Sequence, residues 1–141
     1  MAERRFPAAM ENLREALSWI LANGREAGLP NDRLFHVELA CEEALTNVIQ
    51  YAYPDGGRDV VVWAGASDRG FEVRIVDDGI SFNPLERALP DTGLPLDVRN
   101  PGGLGILMVR DMTDEVTYSR DGNRNCLTLT WYSEEHGGIS K

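Results

Sequence analysis

Glu38-Leu39-Ala40-Cys41-Glu42-Glu43-Ala44-Leu45-Thr46-Asn47 puts apolar and polar residues on different sides of one helix. Val37, Cys41, Ala44 and Val48, joined by Leu34 and Leu45, recur at helical spacing and form a stripe suited to burial. Residues four apart face the same way, so Glu43 and Asn47 project together from the edge of that stripe. A carboxylate there can take a proton as a general base, and an amide oxygen can complete the octahedral oxygen shell that Mg²⁺ prefers. Taken alone, the pair also fits a solvated acid beside an incidental amide. Thr46 and Asn47 are mediocre helix formers within an apolar run, at a cost of roughly 0.5 kcal/mol each relative to Ala, which argues that something other than helix formation selects them. Glu42, about 100° further around the helix, is assigned to solvent.

Working outward, this helix starts at a cap on Asn31 or Asp32 and runs to about Tyr51. An earlier amphipathic helix spans Ala8 to Ala27, with Met10, Leu13, Leu17, Ile20 and Leu21 at helical spacing, and Gly28 closes it. Arg5 and Phe6 suggest a short edge strand before it. Beyond the turn Pro54-Asp55-Gly56-Gly57, strands are expected near Asp59 to Ala66 and Phe71 to Val76, joined by Ser67-Asp68-Arg69-Gly70. Residues 78–102 have no steady period and read as a lid, with Asn83 to Pro101 as its body. A short helix from about Leu104 to Met112 then leads to strands Glu115 to Ser119 and Asn125 to Tyr132, turned by Asp121-Gly122-Asn123. Helices, hairpin, lid, helix and hairpin predict an α+β sandwich whose mostly antiparallel sheet is covered on one face.

Two loops add chemistry to the helix. In Val76-Asp77-Asp78-Gly79-Ile80-Ser81-Phe82-Asn83-Pro84, an Asp at a strand end can accept a hydrogen bond from an exocyclic amine. Gly79 allows a flat ring to approach the backbone there. A plain Asp-Gly turn would look the same. In Gly102-Gly103-Leu104-Gly105-Ile106, free N–H groups at a helix start attract phosphate and the glycines let it come close, although glycine-rich helix entries are common.

Bulk properties narrow the classes. The 141 residues fit one domain, and 43% hydrophobic with 26% charged residues predicts a packed core. A formal charge of −9 with no basic run excludes a surface built to collect nucleic-acid phosphates. No apolar stretch is long enough for a membrane span, and Met1-Ala2-Glu3-Arg4-Arg5 lacks the apolar core of a signal peptide, so a cytoplasmic protein is expected. Cys41 and Cys126 belong to no C-x-x-C pair and read as buried thiols. Lys141 is the only Lys among 14 basic residues, which excludes a P-loop lysine and a protein-kinase strand lysine. His36 and His136 lack the setting of a phosphohistidine relay, and Ser81 and Ser119 have no partner His in a hydrolase arrangement.

In order and spacing, E-x-x-x-N on a helix, D-x-G after a strand and G-x-G at a helix start resemble the N, G1 and G2 boxes of the GHKL ATPase superfamily. Glu38 to Asn47 and Met112-Thr113-Asp114-Glu115-Val116 are similar to segments of the anti-sigma-factor serine kinases of the RsbW and SpoIIAB type, and the likeness covers nearly the whole chain. The resemblance implies a Bergerat α/β sandwich, as one histidine-kinase-like ATPase domain over residues 1–141. It implies ATP and Mg²⁺ as cofactors, with Glu43 the catalytic base, Asn47 the Mg²⁺ ligand, Asp77 the adenine reader and Gly79 the backbone supporting the base. Phe82, Gly102, Gly103, Leu104 and Gly105 join the cofactor-binding set, Gly103 and Gly105 bordering the phosphates. Ser81 and Tyr51 depart from the pattern, standing where many members have Gly and His.

The activity implied is transfer of the ATP γ-phosphate to a serine of a STAS-domain anti-sigma factor antagonist within a partner-switching system. A sigma factor is a further expected partner. A homodimer is expected on the sheet face away from the helices, where Trp63 and Trp131 are placed. The alternative is a non-catalytic nucleotide-binding module that sequesters a sigma factor or STAS partner. Retention of both Glu43 and Asn47 favours chemistry, since sequestration needs neither.

Overall fold

The computed structural model describes residues 1–54, 56–81, 83, 85 and 109–133. Strand β1 (Ala2–Pro7) precedes a 3₁₀ turn at Met10–Asn12, and helices α1 (Leu13–Glu26) and α2 (Asn31–Tyr51) follow. Strands β2 (Asp59–Ala66), β3 (Gly70–Asp77), β4 (Glu115–Asp121) and β5 (Arg124–Tyr132) complete a five-stranded sheet in the order β1-β2-β3-β5-β4, every pairing antiparallel. This is the expected α+β architecture, with both helices on one side of the sheet.

The helix ends follow local rules, with two departures from expectation. After α1, Gly28 adopts φ 90°, its N–H bonds the Arg25 carbonyl at 3.0 Å, and the Leu29 N–H reaches back to Gly24 at 3.1 Å. That is a Schellman closure, which needs a residue tolerant of left-handed backbone. The first departure is that α1 proper begins at Leu13; the turn before it leaves Met10 52% exposed and off the buried stripe. The second is that neither Asn31 nor Asp32 caps α2. Pro30 holds that position in extended backbone, its carbonyl accepts the Leu34 N–H, and its fixed φ already suits a helix entry.

Strand alternation divides the sheet into two faces. Phe6, Val60, Val62, Ala64, Phe71, Val73, Ile75, Leu127, Leu129 and Trp131 are buried toward the helices, where they meet Leu17, Ile20, Val37, Cys41 and Leu45. At the helix crossing a Cβ on Gly24 would stand 2.8 Å from Leu34 Cδ2, so a larger residue there would require the Leu34 side chain to shift. The opposite face carries Val61, Trp63, Glu72, Arg74, Val76, Cys126 and Thr128.

This parity corrects two expectations. Trp131 lies on the helix side, fully buried, and its indole N–H donates to the Met112 carbonyl at 2.7 Å; only Trp63 is on the outer face. The two residues sit at opposite phases of the period-two pattern, which a search for aromatic residues alone does not register. Cys126 is only half-buried on the outer face, its Sγ 3.8 Å from Thr128 Oγ1, whereas Cys41 is buried as expected and burial pushes its thiol pKa up. Residues 109–112 are helical, within the helix expected from Leu104 to Met112; the rest of that span lies outside the described residues, as does the expected lid except for residues 78–81, Asn83 and Leu85. No helix among the described residues is long and apolar enough to cross a membrane.

The assignment of faces has a measurable consequence. Trp131→Ala is expected to cost about 3–5 kcal/mol, as for a fully buried aromatic, and Trp63→Ala clearly less. Urea unfolding of both variants checks this, and equal losses would contradict the parity.

Candidate functional site

Helix α2 fixes the first two site residues. Glu42 is exposed, Glu43 half-buried and Asn47 buried at 7% exposure, so the Glu43 and Asn47 face is the one that turns inward. Burial raises the Glu43 carboxyl above the ordinary carboxylate range, and the neighbouring Glu42 charge pushes in the same direction. The Asn47 amide has no hydrogen-bond partner among the described residues, although buried side-chain amides nearly always have one. Leaving such a group unpaired costs roughly 1–3 kcal/mol, which marks Asn47 as a candidate for contact with a ligand.

The third residue stands where β3 ends. Asp77 is buried and lies directly across the strand pairing from Asn125 of β5. Its Oδ1 accepts from Asn125 Nδ2 at 2.8 Å and from the Gly79 N–H at 2.9 Å. Its Oδ2 has no partner among the described residues. Burial raises the Asp77 pKa, and the Asn125 and Gly79 hydrogen bonds and the charge of Arg120 oppose that rise. An ionisable acceptor is thus held at the sheet end with one oxygen tied down and one open.

The loop after Asp77 is pinned to the end of α2. The Ile80 N–H donates to the Ala52 carbonyl at 3.0 Å, and the Tyr53 hydroxyl accepts the Asp78 N–H at 3.0 Å while lying 2.6 Å from the Asp59 carbonyl oxygen. Arg120 donates to the Gly79 carbonyl at 3.0 Å from the other side. Gly79 has no positive φ; a Cβ there would fall 2.1 Å from the Ala52 oxygen. Its lack of a side chain therefore serves contact between loop and helix, and not only the approach of a ring. The structure brings Asp77 and Gly79 to the end of the helix bearing Glu43 and Asn47, while no hydrogen bond joins the two pairs among the described residues. Phe82, Gly102, Gly103, Leu104 and Gly105 lie outside those residues.

Three further participants escape motif reading: Asn125, Tyr53 and Arg120. A signal existed for Asn125, because it falls at the core-facing parity of β5 with Leu127 and Leu129, and a polar residue in that row calls for an internal partner. Its Oδ1 accepts from the Tyr118 hydroxyl at 2.5 Å and from Arg120 Nη1 at 3.1 Å, and Nδ2 also donates to the Ile80 carbonyl at 2.7 Å.

With this arrangement established, known proteins provide a frame. Residues 6–131 match the family described as histidine kinase-like ATPase domain. The chain belongs to that family. Among curated relatives, the serine-protein kinase RsbW of Bacillus thuringiensis (strain Al Hakam) is 23% identical over 137 residues, covering 94% of this chain and 86% of the relative. The serine/threonine-protein kinase BtrW of Bordetella bronchiseptica is 29% identical over 100 residues, covering 70% of each. Among solved structures, the RsbU and RsbW domains of Rv1364c from Mycobacterium tuberculosis superpose with TM-score 0.64 at 15% identity, over 94% of this chain. This histidine kinase-like ATPase chain spans about a third of that protein, at 32%. The histidine kinase domain of the Erythrobacter litoralis EL346 blue-light activated kinase superposes with TM-score 0.55 at 21% identity, covering 96% of this chain and 66% of that one. At these identities the two structures speak for the fold.

The donor set bears on metal binding. Among the described residues no group of three or more His, Cys, Asp or Glu side chains could cage an ion. Asn47, an unpaired buried amide with a hard oxygen, suits a Mg²⁺ ion that takes one or two protein ligands and draws the others from phosphates and water.

Gly79→Ala is expected to push the loop off α2 and to cost about 1–3 kcal/mol, the range for overpacking a tight contact. Thermal unfolding measures it; a wild-type midpoint would mean the loop does not depend on Ala52.

Proposed function

We propose that this chain is an ATP-dependent serine kinase, a single ATPase domain that phosphorylates a serine of a STAS-domain anti-sigma factor antagonist in a partner-switching system. The observation that carries the reading is the pairing, on one inward face of α2, of a half-buried carboxylate with a buried amide, beside a loop with Asp77 bonded through Oδ1; neither that amide nor Asp77 Oδ2 has a partner among the described residues. The family match and the kinases named among the relatives support ATP as the phosphate donor.

Each residue has a distinct task. Asp77 Oδ2 accepts a hydrogen bond from the exocyclic amine of adenine, and the pinned Gly79 backbone lies under the ring. Asn47 offers its amide oxygen to Mg²⁺. Glu43 takes the proton from the incoming serine hydroxyl, and the raised pKa that burial gives it makes it a stronger base than an exposed Glu. Bound ATP with Mg²⁺ supplies the phosphoryl group and the cationic charge that steadies its transfer. Phe82 and the Gly102 to Gly105 segment complete the nucleotide site in this proposal. A sigma factor is a second proposed partner, and cytoplasmic placement goes with that role.

The outer sheet face, with Val61, Trp63 and Val76 along one groove, is the proposed surface for a second copy of the chain. Sedimentation at tens of micromolar is expected to read a dimer, and a monomer would remove this part of the reading.

The three site residues should fail in different ways. Asn47→Ala should lose both Mg²⁺-dependent ATP affinity and transfer. Asp77→Asn keeps an oxygen for Asn125 and Gly79 but turns the open acceptor into a donor, so ATP binding should weaken by about 1–3 kcal/mol with the fold intact. Glu43→Gln should bind ATP normally and transfer phosphate about 10² to 10⁴ times more slowly. Because Glu43 must be ionised to act, wild-type transfer should fall away in acid at a pH above that of an unperturbed glutamate. Calorimetry and transfer from labelled ATP to candidate STAS proteins read these outcomes. Wild-type transfer by Glu43→Gln would refute the base assignment, and no transfer by the wild type would favour a sequestering module.

A further inference from the structure

Asp77 has two oxygens and about four lone-pair positions for a bound base. Two donors, Asn125 Nδ2 and the Gly79 N–H, already converge on Oδ1, which fills it. Asn125 is in turn fixed in one orientation. Its Oδ1 receives Tyr118 at 2.5 Å and Arg120 at 3.1 Å, and Nδ2 also serves the Ile80 carbonyl, so the amide cannot flip without reversing these contacts. The donor aimed at Asp77 is held by these contacts and by the register that sets Asn125 across from Asp77.

From this we infer that Asn125 is a specificity-determining residue, which makes Asp77 a one-oxygen acceptor and so admits adenine over guanine. The inference rests on the nucleotide reading above. Adenine offers one exocyclic amine beside a ring nitrogen that accepts, and a single open oxygen suffices for it. Guanine offers a ring N–H and an exocyclic amine side by side, a pair that a carboxylate receives with both oxygens. With Oδ1 filled, the second donor of guanine finds no acceptor and is buried unpaired. The glycine N–H alone would leave half of Oδ1 free; Asn125 closes it.

Hypoxanthine separates this idea from general purine binding, since it keeps the ring N–H of guanine and lacks the amine. Calorimetry with ATP, GTP and ITP in Mg²⁺ should show wild-type protein binding ATP most tightly, with GTP and ITP equal to within about threefold because the extra amine gains nothing. In Asn125→Ala, GTP should gain over ITP by about tenfold, the weight of one restored hydrogen bond. Tyr118→Phe loosens Asn125 without uncapping Oδ1 and should keep the wild-type GTP to ITP ratio. Wild-type protein binding GTP tenfold better than ITP would overturn the inference while leaving the ATP site intact, as would a folded Asn125→Ala variant with an unchanged ratio. If that variant does not fold, the wild-type comparison decides alone. Wild-type protein that binds no ATP would overturn the nucleotide reading and this inference with it.

Discussion

The close approach of Gly79 to the Ala52 carbonyl is the constraint on which the arrangement depends. Helix α2 and strand β3 are distant in sequence, and the hydrophobic core sets only their layers, helix above sheet. Ridges of apolar side chains tolerate small slides, but a backbone hydrogen bond from Ile80 to Ala52 does not, and neither does a space into which a Cβ cannot fit. That joint determines where the end of β3 stands relative to the helix carrying Glu43 and Asn47. Tyr53 reinforces it by receiving the Asp78 N–H beside the Asp59 carbonyl, tying the starts and ends of neighbouring strands to the same corner.

A buried carboxylate at such a corner is expensive unless it is hydrogen-bonded. Asp77 meets that condition halfway. Asn125 and Gly79 satisfy one oxygen, the Arg120 charge lowers the cost of ionisation, and burial still leaves the pKa raised. A side chain serving stability alone would have both oxygens bonded or would be replaced by an amide. Asn47 shows the same incompleteness on the helix side, where a buried amide lacks a partner among the described residues. Both groups therefore keep hydrogen-bonding capacity that the described residues do not use, which is what the proposed ligand contacts would take up.

Much of this was legible in the sequence because local patterns carry it. The 3.6-residue stripe of α2 predicts its burial and, with it, the edge position of Glu43 and Asn47, and turn signals bound the strands β2, β3 and β5. What stayed hidden depends on partners distant in sequence. Asn125 matters because antiparallel pairing sets it opposite Asp77, and no local spacing encodes that register. Gly79 was recognised as necessary, but its neighbour Ala52 is visible only once the helix end is placed. Trp131 shares the phase of Leu127 and Leu129 and so lies on the helix side, which its aromatic character alone does not reveal. The cap of α2 followed backbone geometry at Pro30 over the side-chain preference of Asn31.

Charge sets the last requirement on the site. A nucleotide phosphate entering here meets a chain of formal charge −9, with Glu42, Glu43, Asp77 and Asp78 on the elements that frame the site. Among the described residues, Arg120 holds the Gly79 carbonyl and Asn125, and Arg58 pairs with Asp78 at 3.3 Å. Lys141 is the only lysine of the sequence, and it lies outside the described residues. For the proposed nucleotide, a divalent cation and backbone N–H groups, which contribute partial positive charge without a side chain, would offset that acidity. In the proposed site the metal would be part of the binding surface, and the amide oxygen of Asn47, without a partner among the described residues, would be the protein's own contribution to holding it.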